Sequence, residues 1–244
     1  MCGRLLLAHP PAEIRALFGY EDQPNLPPRY NIAPTQPLGI VHRDGERRRF
    51  LLVRWSFIPS WTKDPGAQPL LINARAETAA DKATFRAAMR HRRGLVPASG
   101  FYEWLRVGKE KRPFLFRRRD GAPFALGALY ETYLDPNGSE IDTAAILTTS
   151  ANALMARIHD RMPVIIPPER FGDWLDTVAN QPKDIADLLG PAPDDLLEAV
   201  PVSMRVNGVR DDDAGLIEPI SEPLTAADDA PGAPPPPPAQ GSLF

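Results

Sequence analysis

Short strand-like runs follow one another along this chain with few helical stretches between them, and that order limits the fold more than any other feature. Residues 3–8, 38–42, 50–57, 70–76, 95–104, 114–118, 122–130, 144–149 and 164–166 each carry the apolar, β-branched or alternating pattern of a strand. Helical periodicity is confined to five short stretches. Residues 12–18 follow Pro10 and Pro11, place Ile14, Leu17 and Phe18 on one face, and stop at Gly19. Residues 78–89 place Phe85 and Met89 at i, i+4, and residues 152–158, 168–177 and 182–189 also read as helical. Strand after strand with inserted helices predicts an α+β fold. Its frame is a mostly antiparallel, barrel-like sheet with inserted and flanking helices, not a doubly wound βαβ domain. One domain over residues 1–225 accounts for the pattern. Residues 226–244 form a proline-rich tail, expected to be disordered with polyproline II character, as a docking peptide or an inert solubilising tail.

Composition narrows the function classes. A single cysteine excludes an internal disulfide, so nothing points to an oxidising compartment. There is no apolar run of membrane-spanning length and no signal-peptide pattern, so a cytoplasmic, nucleoid-associated protein is expected. The net charge of −3 hides a division: residues 1–119 hold 22 of the 28 Lys and Arg, and residues 120–244 hold 21 of the 31 Asp and Glu. Such asymmetry fits either a polyanion-binding surface or two halves that neutralise each other in the fold. The arginine runs Arg47–Arg49, His91–Arg93 and Arg117–Arg119 carry the same ambiguity, the first reading as a solvated hairpin and the others as more suggestive of phosphate contacts.

The single cysteine is Cys2, directly after Met1. Cysteine is small enough to permit removal of the initiator methionine, which would leave a terminal residue carrying both an amine and a thiol. A 1,2-aminothiol captures aldehydes: the amine forms an imine, and the thiol adds to its carbon to close a thiazolidine. An α-amino group has a pKa of about 7.7–8.0 against about 10.4 for lysine, so at neutral pH it is on the order of a hundredfold richer in free base. The competing reading makes Cys2 merely a small residue at a frayed end.

Three internal segments place polar groups in patterns that suit such chemistry. In Asn73-Ala74-Arg75-Ala76-Glu77, strand alternation puts an amide, a guanidinium and a carboxylate on one side, as a polar cleft or a solvated face. Arg75 in a cleft would grip a phosphate as a planar fork. In Gly100-Phe101-Tyr102-Glu103-Trp104, Glu103 shares a strand face with Phe101. It is either an edge residue reaching water or a partly buried acid, and burial favours the protonated form that a general acid needs. The aromatics serve either as stacking platforms or as core. His159, in Ile158-His159-Asp160-Arg161-Met162-Pro163, lies where a helix gives way to a strand, and is either a proton shuttle or a structural histidine. No phosphate-binding glycine loop, nucleophile elbow or metal-ligand spacing occurs, so no cofactor and no metal is expected.

Taken in order, these blocks resemble the SRAP family, the SOS-response-associated peptidases or abasic-site processing proteins. The resemblance rests on Met1-Cys2-Gly3-Arg4, Tyr30-Asn31-Ile32-Ala33-Pro34-Thr35, Arg54-Trp55 with Ile58-Pro59-Ser60-Trp61, Asn73 to Thr78, Gly100 to Trp104, and Ile158 to Pro163, spread over about residues 2–205. Leu5, Ser56 and Gly94 depart from the family's usual aromatic, glycine and cysteine. The resemblance implies covalent trapping of abasic sites in single-stranded DNA, with removal of Met1 as a peptidase activity and an AP-lyase activity beside it. It implies catalytic roles for Cys2 as nucleophile, Asn73 in positioning, Glu103 as general acid/base and His159 in proton transfer. Arg4, Arg75 and Arg161 are then phosphate contacts, and Pro34, Trp61 and Trp104 touch bases. The expected partner is single-stranded DNA containing abasic sites, engaged by a monomer without membrane or metal. Two rivals remain: an N-terminal-nucleophile amidohydrolase using the same cysteine, and a non-catalytic DNA-binding module.

Overall fold

The computed structural model describes residues 2–225, so the expectations for Met1 and for the tail at 226–244 lie outside the described residues. In chain order the elements are β1 (Leu5–Leu7), α1 (Pro11–Phe18), β2 (Arg29–Ile32), β3 (Pro37–Asp44), β4 (Arg47–Trp55), β5 (Asn73–Arg75), α2 (Ala76–Ala79) and α3 (Ala83–His91). They continue with β6 (Arg93–Ala98), β7 (Gly100–Val107), β8 (Glu110–Arg118), β9 (Phe124–Leu134), β10 (Glu140–Ser150), α4 (Ala153–Ala156), β11 (Arg161–Pro163), β12 (Ile165–Ile166), α5 (Phe171–Leu175) and β13 (Leu197–Pro201).

Strands β10, β4, β3, β6 and β9 pair in that order, and β9 pairs back to β10, which closes a five-stranded barrel. The expected antiparallel frame holds around most of the ring, while β10 meets β4 in parallel. Strand β5 also lies parallel to β10, β11 is antiparallel to it, and β12 edges β9. A second, open sheet has the order β13-β8-β7-β1-β2. One apolar cluster joins the two sheets, drawing Leu5 and Phe101 from the open sheet and Ile40, Trp55 and Ile146 from the barrel. Closure leaves the barrel strands no free edges, and the shared core makes the whole a single α+β domain.

The long run 95–104 splits in two at Ser99. The Ser99 N–H donates to Leu6 O, and its hydroxyl oxygen accepts from Ala8 N at 2.8 Å, which turns the chain out of the barrel and into the open sheet. Gly100 permits the crossing, since a Cβ there would sit 2.7 Å from Phe116 O and 2.8 Å from a Leu115 methyl. The helix expected over 78–89 is also two pieces, because Lys82 is extended and α3 starts afresh after it, bringing Phe85 against Phe57 at 5.2 Å. Residues Pro182–Leu189 form 3-10 turns with a non-helical Ile185, rather than an α-helix. Strands β2 and β13 are additions to the sequence reading. No helix among the described residues is long and apolar enough to cross a membrane.

Charge division resolves in part by pairing across the halves: Arg29 with Asp212, Arg43 with Asp176, Arg92 with Glu131, and Arg117 with Glu198. The arginine runs are largely occupied as well. Arg93 is fully buried and donates to the carbonyls of Trp174, Met89, Asp176 and Asn180, and burial lowers its pKa to about 10. Arg118 pairs with Asp120.

Candidate active site

The open sheet delivers the first half of the site. Strand β1 lies between β2 and β7, with Leu5 opposite both Ile32 and Phe101 and with Tyr102 N–H on Arg4 O. Continued by two residues, that register sets Glu103 beside the chain at Gly3 and Cys2. Cys2 is 1% exposed and Glu103 3% exposed. Burial pushes the Cys2 thiol well above the usual cysteine range, and the negative charge of Glu103 pushes it further. Glu103 follows Phe101 toward the core shared with the barrel, whereas Tyr102 and Trp104 face the opposite side of the sheet.

Barrel strand β10 delivers the second half. Strand β5 pairs with it at Ile146↔Asn73 and Thr148↔Arg75, and β11 at Ser150↔Arg161. Asn73 Nδ2 donates to Cys2 O at 2.9 Å and so ties the N-terminal segment to the barrel. The Asn73 Oδ1 is buried with no hydrogen-bond donor among the described residues. Residue 159 follows α4, and its neighbour Ile158 packs in the same cluster as Cys2. His159 Nδ1 accepts from Arg161 N–H at 3.0 Å and lies 3.0 Å from an Asp160 carboxylate oxygen. Because a backbone N–H can only donate, Nδ1 is the accepting nitrogen at this contact and the ring proton belongs on Nε2.

The remaining expected residues spread outward. Arg75 is exposed at the end of β5. Arg161 makes a bidentate pair with Glu77, 2.5 Å from Nη1 to Oε1 and 2.8 Å from Nη2 to Oε2. Arg4 is engaged internally, donating at 2.6 Å to both Asn31 Oδ1 and Val206 O, with its guanidinium over the Trp104 ring. Trp104 Nε1 donates to Asn207 Oδ1. Arg4 and Trp104 therefore sit together on the sheet face away from Glu103. Pro34 lies in the turn after β2, next to Thr35, the one non-glycine among the described residues with a left-handed backbone, at φ 72°. A β-branched residue held there costs roughly 1–2 kcal/mol. Trp61 is 61% exposed and borders a cavity of about 280 Å³ that also touches Arg86 and Glu131.

One residue escaped the sequence reading, and another took a different place from the one expected. Asn31 is fully buried and donates to Gly208 O and Asp211 O while accepting from Arg4, so it staples the C-terminal segment to β2. Its signal was an amide directly before the apolar residues Ile32, Ala33 and Pro34. Glu77 was expected in line with Asn73 and Arg75, but β5 ends at Arg75 and Glu77 lies in the first turn of α2, paired with Arg161. A further cavity of about 520 Å³ lies beside His9 and Ser99. The Ser99 hydroxyl there accepts from two backbone N–H groups and also bonds His9 Nδ1, which leaves no lone pair free for attack. Among the described residues no cluster of three or more His, Cys, Asp or Glu is arranged to hold a metal.

With this geometry, residues 1–209 match the model of the SOS response associated peptidase (SRAP) family. The chain belongs to the SRAP family. Among its relatives is an abasic site processing protein, YoqW, of Bacillus subtilis, 37% identical over 222 residues that span 89% of this chain and 99% of that one. The abasic site processing protein YedK of Escherichia coli is 31% identical across 90% of this chain and all of its own length. HMCES of Xenopus tropicalis, also called an abasic site processing protein, is 28% identical over 86% of this SRAP chain and 76% of its own. A crystal structure of a Bacteroides thetaiotaomicron protein shares the fold at a TM-score of 0.81 and 24% identity, covering 89% of this chain and 99% of that one.

Proposed function

We propose that this SRAP protein captures abasic sites in single-stranded DNA as a thiazolidine on Cys2, once Met1 has been removed. The observation that carries the reading is the convergence on residue 2. Asn73 holds its carbonyl, and the buried Glu103 lies close enough for its charge to act on the thiol. Family membership and the names of the relatives supply the substrate class.

Each step has a candidate group. Opening the abasic hemiacetal moves a proton from the C1′ hydroxyl to the ring oxygen and frees the aldehyde, with His159 Nε2–H and Glu103 as the relays. The α-amine adds to C1′, and the carbinolamine loses its hydroxyl as water after Glu103 donates a proton. The thiol stays protonated in its buried setting, so the amine acts first. Sulfur then adds to the iminium carbon, its proton returns to Glu103, and the ring closes as a neutral thiazolidine. A positioned acid of this kind is worth about 10²–10⁴-fold. Diversion of the imine to β-elimination would give AP-lyase activity, and hydrolysis of the Met1–Cys2 bond would be the peptidase activity. Arg75 and Arg161 contact phosphates, while Trp61 and Pro34 touch bases, all within one monomer; Arg4 and Trp104 face away from Glu103 and brace the C-terminal segment instead.

Intact-mass measurement tests the reading directly. The protein mixed with an abasic single strand is expected to lack Met1 and to gain the mass of the strand less one water, in a form that survives heating without borohydride. Cys2→Ala retains an amine and is expected to yield only an adduct that borohydride must trap. An equally heat-stable adduct from Cys2→Ala, or an active protein that keeps Met1, contradicts the thiazolidine.

A further inference from the structure

The guanidinium that this reading assigns to a phosphate is already occupied. Arg161 Nη1 and Nη2 meet the two carboxylate oxygens of Glu77, and Nη2 also donates to Thr148 O at 2.6 Å. A carboxylate and a phosphodiester offer a guanidinium the same pair of oxygens, so the two compete for one fork. Arg75, one strand away, also acts on Glu77: its charge and the Arg161 hydrogen bonds together hold the Glu77 carboxyl below the usual carboxylate range, with Arg161 the larger cause. The carboxylate thus fills the Arg161 fork, with the charge of Arg75 acting on it as well, where a strand phosphate would be drawn.

The two partners are unequally held. Arg161 belongs to β11, is anchored to β10 through Thr148, and its side chain is 16% exposed, against 47% for Glu77. Glu77 lies in the first turn of a four-residue helix. The anion is therefore the part free to leave, because its half-exposed carboxylate regains water when it goes while Arg161 stays anchored. We propose that Glu77 is a built-in phosphate surrogate, filling the Arg161 fork in the free protein and displaced by a phosphodiester of the bound strand. The inference rests on the single-strand reading above and adds a residue that lowers affinity. A strand without a lesion must expel Glu77 for no covalent return, whereas a captured strand stays whatever its reversible affinity, so Glu77 favours release of undamaged DNA.

Fluorescence anisotropy with a labelled single-stranded oligonucleotide lacking any abasic site tests this without the covalent step. Glu77→Gln removes the charge, and Glu77→Asp keeps it but shortens the side chain out of bidentate reach. Both are expected to bind at least about threefold more tightly than the unmutated protein, the gain from freeing a partly exposed ion pair. Unchanged or weaker binding by both means that Glu77 orients Arg161, and overturns the proposal. Tightening by Glu77→Gln alone is a general charge effect and also overturns it. If the unmutated protein binds no single strand, the functional reading itself fails and takes this inference with it. Binding without a gain in either variant sinks the inference alone.

Discussion

At Cys2 the working side chains are out of water, while around Arg75 and Trp61 they are in it. Cys2 and Glu103 lie in the core that joins the two sheets, and the backbone between them is fixed by strand pairing on both sides of β1. Arg75 and Trp61 project from the end of a short strand and from a loop, with their side chains mostly in solvent. In the buried region burial itself keeps the thiol from ionising, and the charge of one carboxylate, acting in a low dielectric, adds to the effect. In the exposed region salt screens each charge within about 8–10 Å, and affinity has to come from several weak contacts. The difference separates chemistry from grip: changes at the rim should alter how much DNA is bound, and changes at the centre should alter how fast it reacts.

The largest rim effect is expected at Trp61. Stacking of a base on an aromatic is worth about 1–3 kcal/mol, so Trp61→Ala should weaken binding of an abasic single strand by about 5- to 150-fold. The crosslinking rate at saturating DNA should stay within about twofold. A large fall in that saturated rate would erase the distinction between rim and centre. Arg75→Ala gives a smaller effect of a different kind. Loss of one phosphate contact should flatten the slope of log K against log[salt] by about 0.7 on a single strand, with a few-fold loss of affinity at low salt. An unchanged slope, measured by anisotropy over a salt series, would remove Arg75 from the strand path.

Sequence alone made much of the frame legible, because strand runs and helix stops are local. The barrel's closure was not local: it depends on β10 meeting β4 in parallel across about ninety residues, which no periodicity announces. The break at Ser99 was hidden because residues 95–104 read as one strand, and the hydrogen bonds to Leu6 and Ala8 turn the chain there. At the site, the residues with distinctive chemistry could be named in advance, and the strand register brings Cys2, Asn73 and Glu103 together. Partnerships could not be foreseen. Arg4 looked like a free cation, yet it serves Asn31 and Val206, and Arg161 came already paired with Glu77. Such pairings join residues far apart in the chain, and alternation along one segment carries no information about them.

The central claim is that the buried carboxyl of Glu103 drives the chemistry rather than the binding. Single-turnover crosslinking to an abasic single strand, at saturating DNA and over a series of pH values, tests it most directly. Glu103→Gln keeps the shape of the side chain but cannot transfer a proton, so the account predicts a rate about 10²–10⁴-fold lower with a changed pH profile. Binding of the same strand should change by no more than a few-fold. A mutant whose saturated rate and pH profile match those of the unmutated protein would contradict the account and make Glu103 a structural residue.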